Sequence, residues 1–314
     1  MSEIRTSAIW FDSANAGDRV AGYFYDLPGQ TPCAVIQISH GMCEYIGRYQ
    51  EFAAFMVRNG FAVCGNDHLG HGVTSDGGVD GFFAQENGRK HVLEDLRTMN
   101  RLAHERYPNC PVFLLGHSMG SFFARLYAVH YPDTIQALLL SGTGGPNPLS
   151  GVGILLTNLL SKWKGAKYRS SFINRLAFGS YLSKIQAPAT PYDWITRDKD
   201  IVAQYAKDPK CTFVFTVSAF HDLMCTLAEV STPQWASKIP KKLPVFLFSG
   251  DMDPVGAYGK GVQKVYEMLC AAGVEDVSIK LYQGGRHEML NETNRPQVYG
   301  DVLNWCNAHI KKAR

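Results

Sequence analysis

The pattern of hydrophobic positions changes character soon after the start of the chain. Residues 9–11 and 20–25 are two short apolar stretches around a polar, glycine-containing turn at 15–18, which predicts a β-hairpin. Beyond it come runs that do not alternate: Ala34-Val35-Ile36-Gln37-Ile38, then residues 61–64, 112–115, 137–140, 245–248 and Ile279-Lys280-Leu281. Strands without alternation are expected where a parallel sheet is covered on both faces. Helical spacing fills the gaps. Residues 48–58 place Phe52, Phe55 and Met56 on one side and stop at Gly60; residues 91–106 bring Val92, Leu96, Met99 and Leu102 near one face and stop at Tyr107-Pro108. Further helices are predicted at 122–130, 261–272 and from Pro296. Strands alternating with helices imply an α/β fold with a mostly parallel sheet and helices on both faces.

The beat is interrupted once. From residue 144 to 240 several helical segments follow one another with no buried strand, which divides the chain into a core (1–143), a helical cap or lid (144–240) and the rest of the core (241–314). Within the insertion, residues 151–165 set Val152, Leu155, Leu156, Leu159 and Trp163 on one helical face, with Lys162, Lys164 and Lys167 near its end. Such a stripe serves two readings: a lid helix touching a lipid surface, or a helix packed down over an acyl pocket. Phe172, Phe178, Phe213, Phe215 and Phe220 are expected to supply an apolar wall there.

Charge narrows the choice of partner. Thirty-one basic against 28 acidic side chains leave a formal +3, scattered apart from Lys162, Lys164, Lys167 and Arg169 and the terminal Lys311, Lys312 and Arg314. That is too weak a basic stripe for a nucleic-acid partner. The first ten residues lack the apolar core of a secretory signal, and no apolar run approaches the ~20 residues of a bilayer span. The eight cysteines are dispersed, without a C-x-x-C pair, and read as reduced structural thiols of a cytoplasmic protein, Cys33 and Cys64 acting as small hydrophobes. No His or Cys spacing suits a metal, so no cofactor is expected. The oligomeric state is left open.

The most specific signal is Gly116-His117-Ser118-Met119-Gly120, directly after an apolar strand and before a helix. This is the strand–turn–helix context of the nucleophile elbow in α/β-hydrolases, with Ser118 as nucleophile. Gly116 and Gly120 are expected where side chains would collide with neighbouring strand and helix. A serine hydroxyl needs an adjacent base, and the fold's order is Ser, acid, His. His287, in the glycine-containing loop after the last strand, fits; His309 falls on the terminal helix, where it is expected to be solvated, and His221 in the insertion. The strand at 245–248 leads to Asp251 and Asp253. Asp253 is preferred, because it lies far enough past the strand end to reach His287, whereas Asp251 suits a turn-capping role. Oxyanion donors are expected from the backbone of Met119 and, after Ile38-Ser39-His40-Gly41, of Met42.

Taken together, His40-Gly41-Met42-Cys43-Glu44 with Arg48-Tyr49, Asp67-His68-Leu69-Gly70-His71-Gly72, the elbow, residues 250–254 and Gly285-Arg286-His287 resemble monoacylglycerol lipases and bacterial lysophospholipases over nearly the whole chain except the cap. The resemblance implies a serine esterase acting on a monoacylglycerol or lysophospholipid, with Ser118, Asp253 and His287 as triad and Met42 and Met119 as donors. It also implies a small lipid ester as partner; transient membrane contact through the cap is the expectation from the stripe at 151–165. Leu69 stands where the family often has Arg. Glu44 and Arg48, and likewise Asp67 and His71, are expected to brace the oxyanion loop. A general carboxylesterase, a perhydrolase or an aminopeptidase on the same scaffold are the enzymatic alternatives. A non-catalytic binding module is the alternative from another class.

Overall fold

The computed structural model describes residues 3–310, so the terminal Lys311, Lys312 and Arg314 lie outside the described residues. The hairpin is present as β1 (Arg5–Asp12) and β2 (Arg19–Asp26), and β2 continues antiparallel onto β4 (Ala62–Asn66). From there β3 (Val35–Ser39), β5 (Val112–His117), β6 (Ala137–Ser141), β7 (Val245–Gly250) and β8 (Val277–Tyr282) run parallel. The sheet order is β1-β2-β4-β3-β5-β6-β7-β8. Every residue of β3, β4, β5, β6 and β7 is buried, which is why those runs carry no alternation. Of the two amides inside them, Gln37 donates to the Leu96 carbonyl at 2.8 Å and accepts from Asn100 at 2.8 Å, whereas the Asn66 side chain at the end of β4 is buried without a hydrogen-bond partner.

Five helices cover the sheet: α1 (Gln50–Arg58), α2 (Gly88–Arg106), α3 (Met119–His130), and, after the insertion, α9 (Lys260–Ala271) and α10 (Arg295–His309). Two apolar cores result, one beneath α2, α3 and α9, the other beneath α1 and α10. α3 starts three residues before its apolar period does, because Gly120 and Ser121 in its first turn are buried without looking hydrophobic. Between β6 and β7 come α4 (Ser150–Lys164), α5 (Ser171–Phe178), α6 (Lys199–Lys207), α7 (Val217–Val230) and α8 (Pro233–Lys238). Ser170, Asp198, Thr216 and Thr232 cap the last four through side-chain oxygens, each cap stabilising its helix by about 1 kcal/mol.

Several expectations are corrected here. Of the two readings of the α4 stripe, the inward one is ruled out: Val152, Leu155, Leu159 and Trp163 are more than half exposed, whereas Gly153, Thr157 and the half-buried Leu156 and Leu160 face α7 and the core. The small inner residues let the two helices approach closely, and this turns the larger side chains to the surface. Phe172 is exposed and Phe215 is sealed in the core, so of the five phenylalanines only Phe178, Phe213 and Phe220 line the cavity described below. Cys33 is exposed because the strand begins two residues later. His309 is not simply solvated: it stacks on Trp305 with ring centres 3.9 Å apart and pairs with Asp276 at 2.9 Å.

Candidate active site

β5 ends in the tight bend that the glycine spacing anticipated. Ser118 has φ 53° and ψ −122°, a strained conformation for a residue with a side chain, of the kind that costs about 1–3 kcal/mol. The bend is held by Ser118 N–H donating to the Ser141 carbonyl at 2.9 Å, and by Ser121 donating from both its N–H and its hydroxyl to the Ser118 carbonyl. A Cβ on Gly120 would stand 1.9 Å from the Ser39 carbonyl oxygen, and one on Gly116 2.5 Å from the Gly120 carbonyl oxygen. The elbow helix thus presses against the end of β3, which brings the loop after β3 to the serine.

The loops after β7 and β8 meet at a similar approach, where a Cβ on Gly250 would lie 1.9 Å from the Gly285 carbonyl oxygen. His287 Nδ1 lies 2.9 Å from Asp253 Oδ2. The fully buried carboxylate also accepts from the Ser249 hydroxyl at 3.2 Å and the Val255 N–H at 2.9 Å. Asp251 accepts from the Gly284 N–H at 2.7 Å instead, so it ties the two loops together and does not meet the imidazole. Burial alone would push the His287 imidazole down; the Asp253 charge and hydrogen bond outweigh it and hold the group above its ordinary value. An acceptor at Nδ1 puts the proton there and leaves Nε2 as the basic nitrogen. The ring lies between His117 and Trp194, with ring centres 4.7 and 5.1 Å away.

The loop after β3 is braced by Glu44, Arg48 and Asp67, whereas His71, also expected to brace it, bonds to the Leu69 carbonyl at 3.0 Å instead. His40 Nε2 accepts from the His68 N–H at 2.9 Å, so its Nδ1 donates to the Gly41 carbonyl at 2.8 Å. Burial pushes the His68 imidazole down to about 3 and that of His71 to about 4, and His40 falls far below its ordinary value for the same reason. All three rings are therefore neutral. Asp67 takes the N–H groups of Ile46 and Val73, both at 2.9 Å. Glu44 accepts from the Gly41 N–H, from the Tyr49 hydroxyl at 2.8 Å and from Arg48 at 3.1 Å.

Gly41, Met42, Ser118, Met119 and His287 all open onto one cavity of about 620 Å³, walled above by residues of α4, α5, α7 and the segments between them. Among the described residues its lining contains no lysine or arginine, and its carboxylates are Glu44 and Glu288. No group of His, Cys, Asp or Glu among the described residues is arranged to hold a metal ion. Sequence reasoning missed Glu288, which takes both Arg48 nitrogens at 2.7 Å, and Trp194, which roofs the imidazole. Glu288 follows the candidate base directly, but its partner is 240 residues away, and no local pattern joins them.

Sheet order, elbow and loop placement are those of an α/β-hydrolase, and the chain is a carboxylic ester hydrolase. More particularly, it belongs to the family described as serine aminopeptidase, S33, which it matches over residues 30–294. It is 29% identical to a monoacylglycerol lipase of Mycolicibacterium smegmatis, over 91% of this chain and 93% of that one. It is 28% identical to the human monoglyceride lipase, over 92% of this chain and 86% of that one. A thermostable carboxyl esterase from Bacillus coagulans, solved in complex with glycerol, superimposes with a TM-score of 0.92 at 31% identity, covering 99% of this chain and all of the other.

Proposed function

We propose that the chain hydrolyses monoacylglycerols through an acyl-enzyme on Ser118, with His287 as base, Asp253 as its partner, and the Met42 and Met119 N–H groups as oxyanion donors. The observation that carries this choice of substrate is the cavity lining: apolar walls, two carboxylates and no cation. A phosphate-bearing lysolipid would meet no counter-charge there, whereas a glycerol ester needs none. In the reaction, Ser118 Oγ bonds to the ester carbonyl carbon as its proton passes to His287 Nε2. The tetrahedral oxyanion collapses, the imidazolium protonates the departing glycerol oxygen, and water repeats the sequence to free the fatty acid. The relatives named as monoacylglycerol and monoglyceride lipases support this reading, as does the glycerol bound to the Bacillus coagulans esterase.

A panel of substrates tests it. Monoacylglycerols should be cleaved with kcat/KM well above that for lysophosphatidate or lysophosphatidylcholine, and aminoacyl anilides should be left intact. Preference for the phosphate-bearing lipids would sink the assignment. The aminopeptidase reading finds its support in Glu44 and Glu288, which could hold a substrate ammonium; both are already engaged by Arg48.

We also propose that residues 144–240 act as a cap and that α4 rests transiently on lipid surfaces in the cytoplasm. Leu155, Leu159 and Trp163 project from it beside the exposed Lys162 and Lys164, the arrangement of an interfacial helix. Among the described residues no helix is long and apolar enough to cross a membrane. Cell fractionation should divide the chain between cytoplasmic supernatant and membranes. A Leu155→Ser, Leu159→Ser variant should move to the supernatant, and an unchanged distribution would count against the contact.

A further inference from the structure

The residue after the candidate base belongs to a buried chain of charges that the catalytic steps above do not use. Glu288 receives Arg48 through two bonds of 2.7 Å. Arg48 reaches Glu44 at 3.1 Å, and Glu44 takes the N–H of Gly41 in the oxyanion loop. The guanidinium also lies 4.8 Å from the ring centre of Tyr205 in α6. The side chains of Glu44 and Glu288 are 3% and 6% exposed, and that of Arg48 10%. Burying such ions contributes little net stability compared with apolar side chains of the same volume, so folding alone does not account for them. Their placement does: one guanidinium ties the loop that presents the oxyanion donors to the loop that presents the imidazole.

We infer that Glu288 is a positioning residue of the ester-hydrolysis site: through Arg48 and Glu44 it locks the His287 loop to the oxyanion loop, and its charge helps to stabilise the imidazolium. The inference rests on the assignment of His287 as base. The charges of Asp253 in the acid loop, Glu288 in its own loop and Glu44 after β3 favour the protonated imidazole, His117 from the end of β5 and Trp194 pack against the ring, and Arg48 is bonded to both glutamates. Burial would raise the Glu288 carboxyl, but the Arg48 charge and hydrogen bonds outweigh this and hold it below its ordinary value, so it is anionic at neutral pH. Burial pushes Glu44 up to about 7 against the pull of Arg48, which makes Glu288 the steadier negative charge of the two.

The sign of the effect follows. Removing an anion beside an imidazolium makes the protonated form less stable, so the imidazole stays basic to lower pH and the acid limb of kcat/KM moves down. With p-nitrophenyl butyrate as substrate, Glu288→Gln should shift that limb down by about half a pH unit, part of the charge being neutralised by Arg48. Because one hydrogen bond to Arg48 is lost, kcat should fall about 10- to 100-fold while KM stays within about twofold. Glu288→Asp keeps the charge but shortens the reach: its limb should coincide with that of the wild type while kcat remains low. A folded Glu288→Gln enzyme whose acid limb matches the wild type overturns the proposal, whatever its kcat. Should that variant not fold, the limb is read in Glu288→Ala, where a downward shift supports the proposal and an unmoved limb overturns it. The short ester keeps the two readings separate. A wild-type enzyme that cleaves it but ignores monoacylglycerols refutes the lipid assignment alone.

Discussion

Replacing Ser118 by alanine should lower kcat for both p-nitrophenyl butyrate and a monoacylglycerol by roughly 10⁵-fold or more, the scale of loss when a nucleophile is removed and only binding and oxyanion donors remain. The fold should survive. The bend depends on backbone bonds from Ser118 and Ser121 and on glycines packed against neighbouring carbonyl groups, none of which needs the Ser118 hydroxyl. Thermal unfolding should therefore shift by no more than about 4 °C, and labelling by a fluorophosphonate probe should vanish. Activity that persists in a folded, unlabelled variant would assign the chemistry to another group.

Asp253→Asn is expected to have the next largest effect, about 10⁴-fold in kcat. Asparagine keeps an oxygen for the Val255 N–H, while its NH2 replaces the oxygen that the Ser249 hydroxyl and the imidazole share. Its amide then points a donor at His287 Nδ1, which forces the imidazole proton onto Nε2, the nitrogen that must accept from Ser118. The residual activity carries a second signature. In the wild type the Asp253 charge holds the imidazolium above the ordinary histidine value, so activity is lost as pH falls through that raised value. Without the charge the acid limb must move to lower pH. Asp251→Asn, which still offers an oxygen to the Gly284 N–H, should keep most of its activity and an unmoved limb. Equal losses in the two variants would undo the choice between them.

What could be read in advance was whatever depends on neighbours along the chain. The inner strands announced themselves as unbroken apolar runs because both faces of the sheet are covered, and the elbow because its glycines sit at fixed offsets from the serine. Distance past the strand end favoured Asp253 over Asp251, and the meeting of the β7 and β8 loops brings Asp253 and not Asp251 to the imidazole. The α4 stripe shows where pattern alone leaves two orientations open. Hydropathy marks the large residues, but helix-on-helix packing selected the small ones, Gly153 and Thr157, for the inner face. Glu288 was invisible for another reason: a charged residue in a loop looks solvated until its distant partner is known.

The residues flanking Trp194 are sewn to the histidine loop. Arg286 donates to the carbonyl groups of Asp193 and Thr196, Glu288 N–H donates to the Ile195 carbonyl at 2.7 Å, and Arg197 pairs with Glu292 at 3.0 Å. α4 makes its polar contacts with α7 instead, through Thr157 and His221. An entrance widened on the α4 side would leave these stitches intact, like a door whose frame stays bolted. The imidazole would then keep its aromatic roof throughout turnover, dry and correctly oriented while lipid enters and leaves.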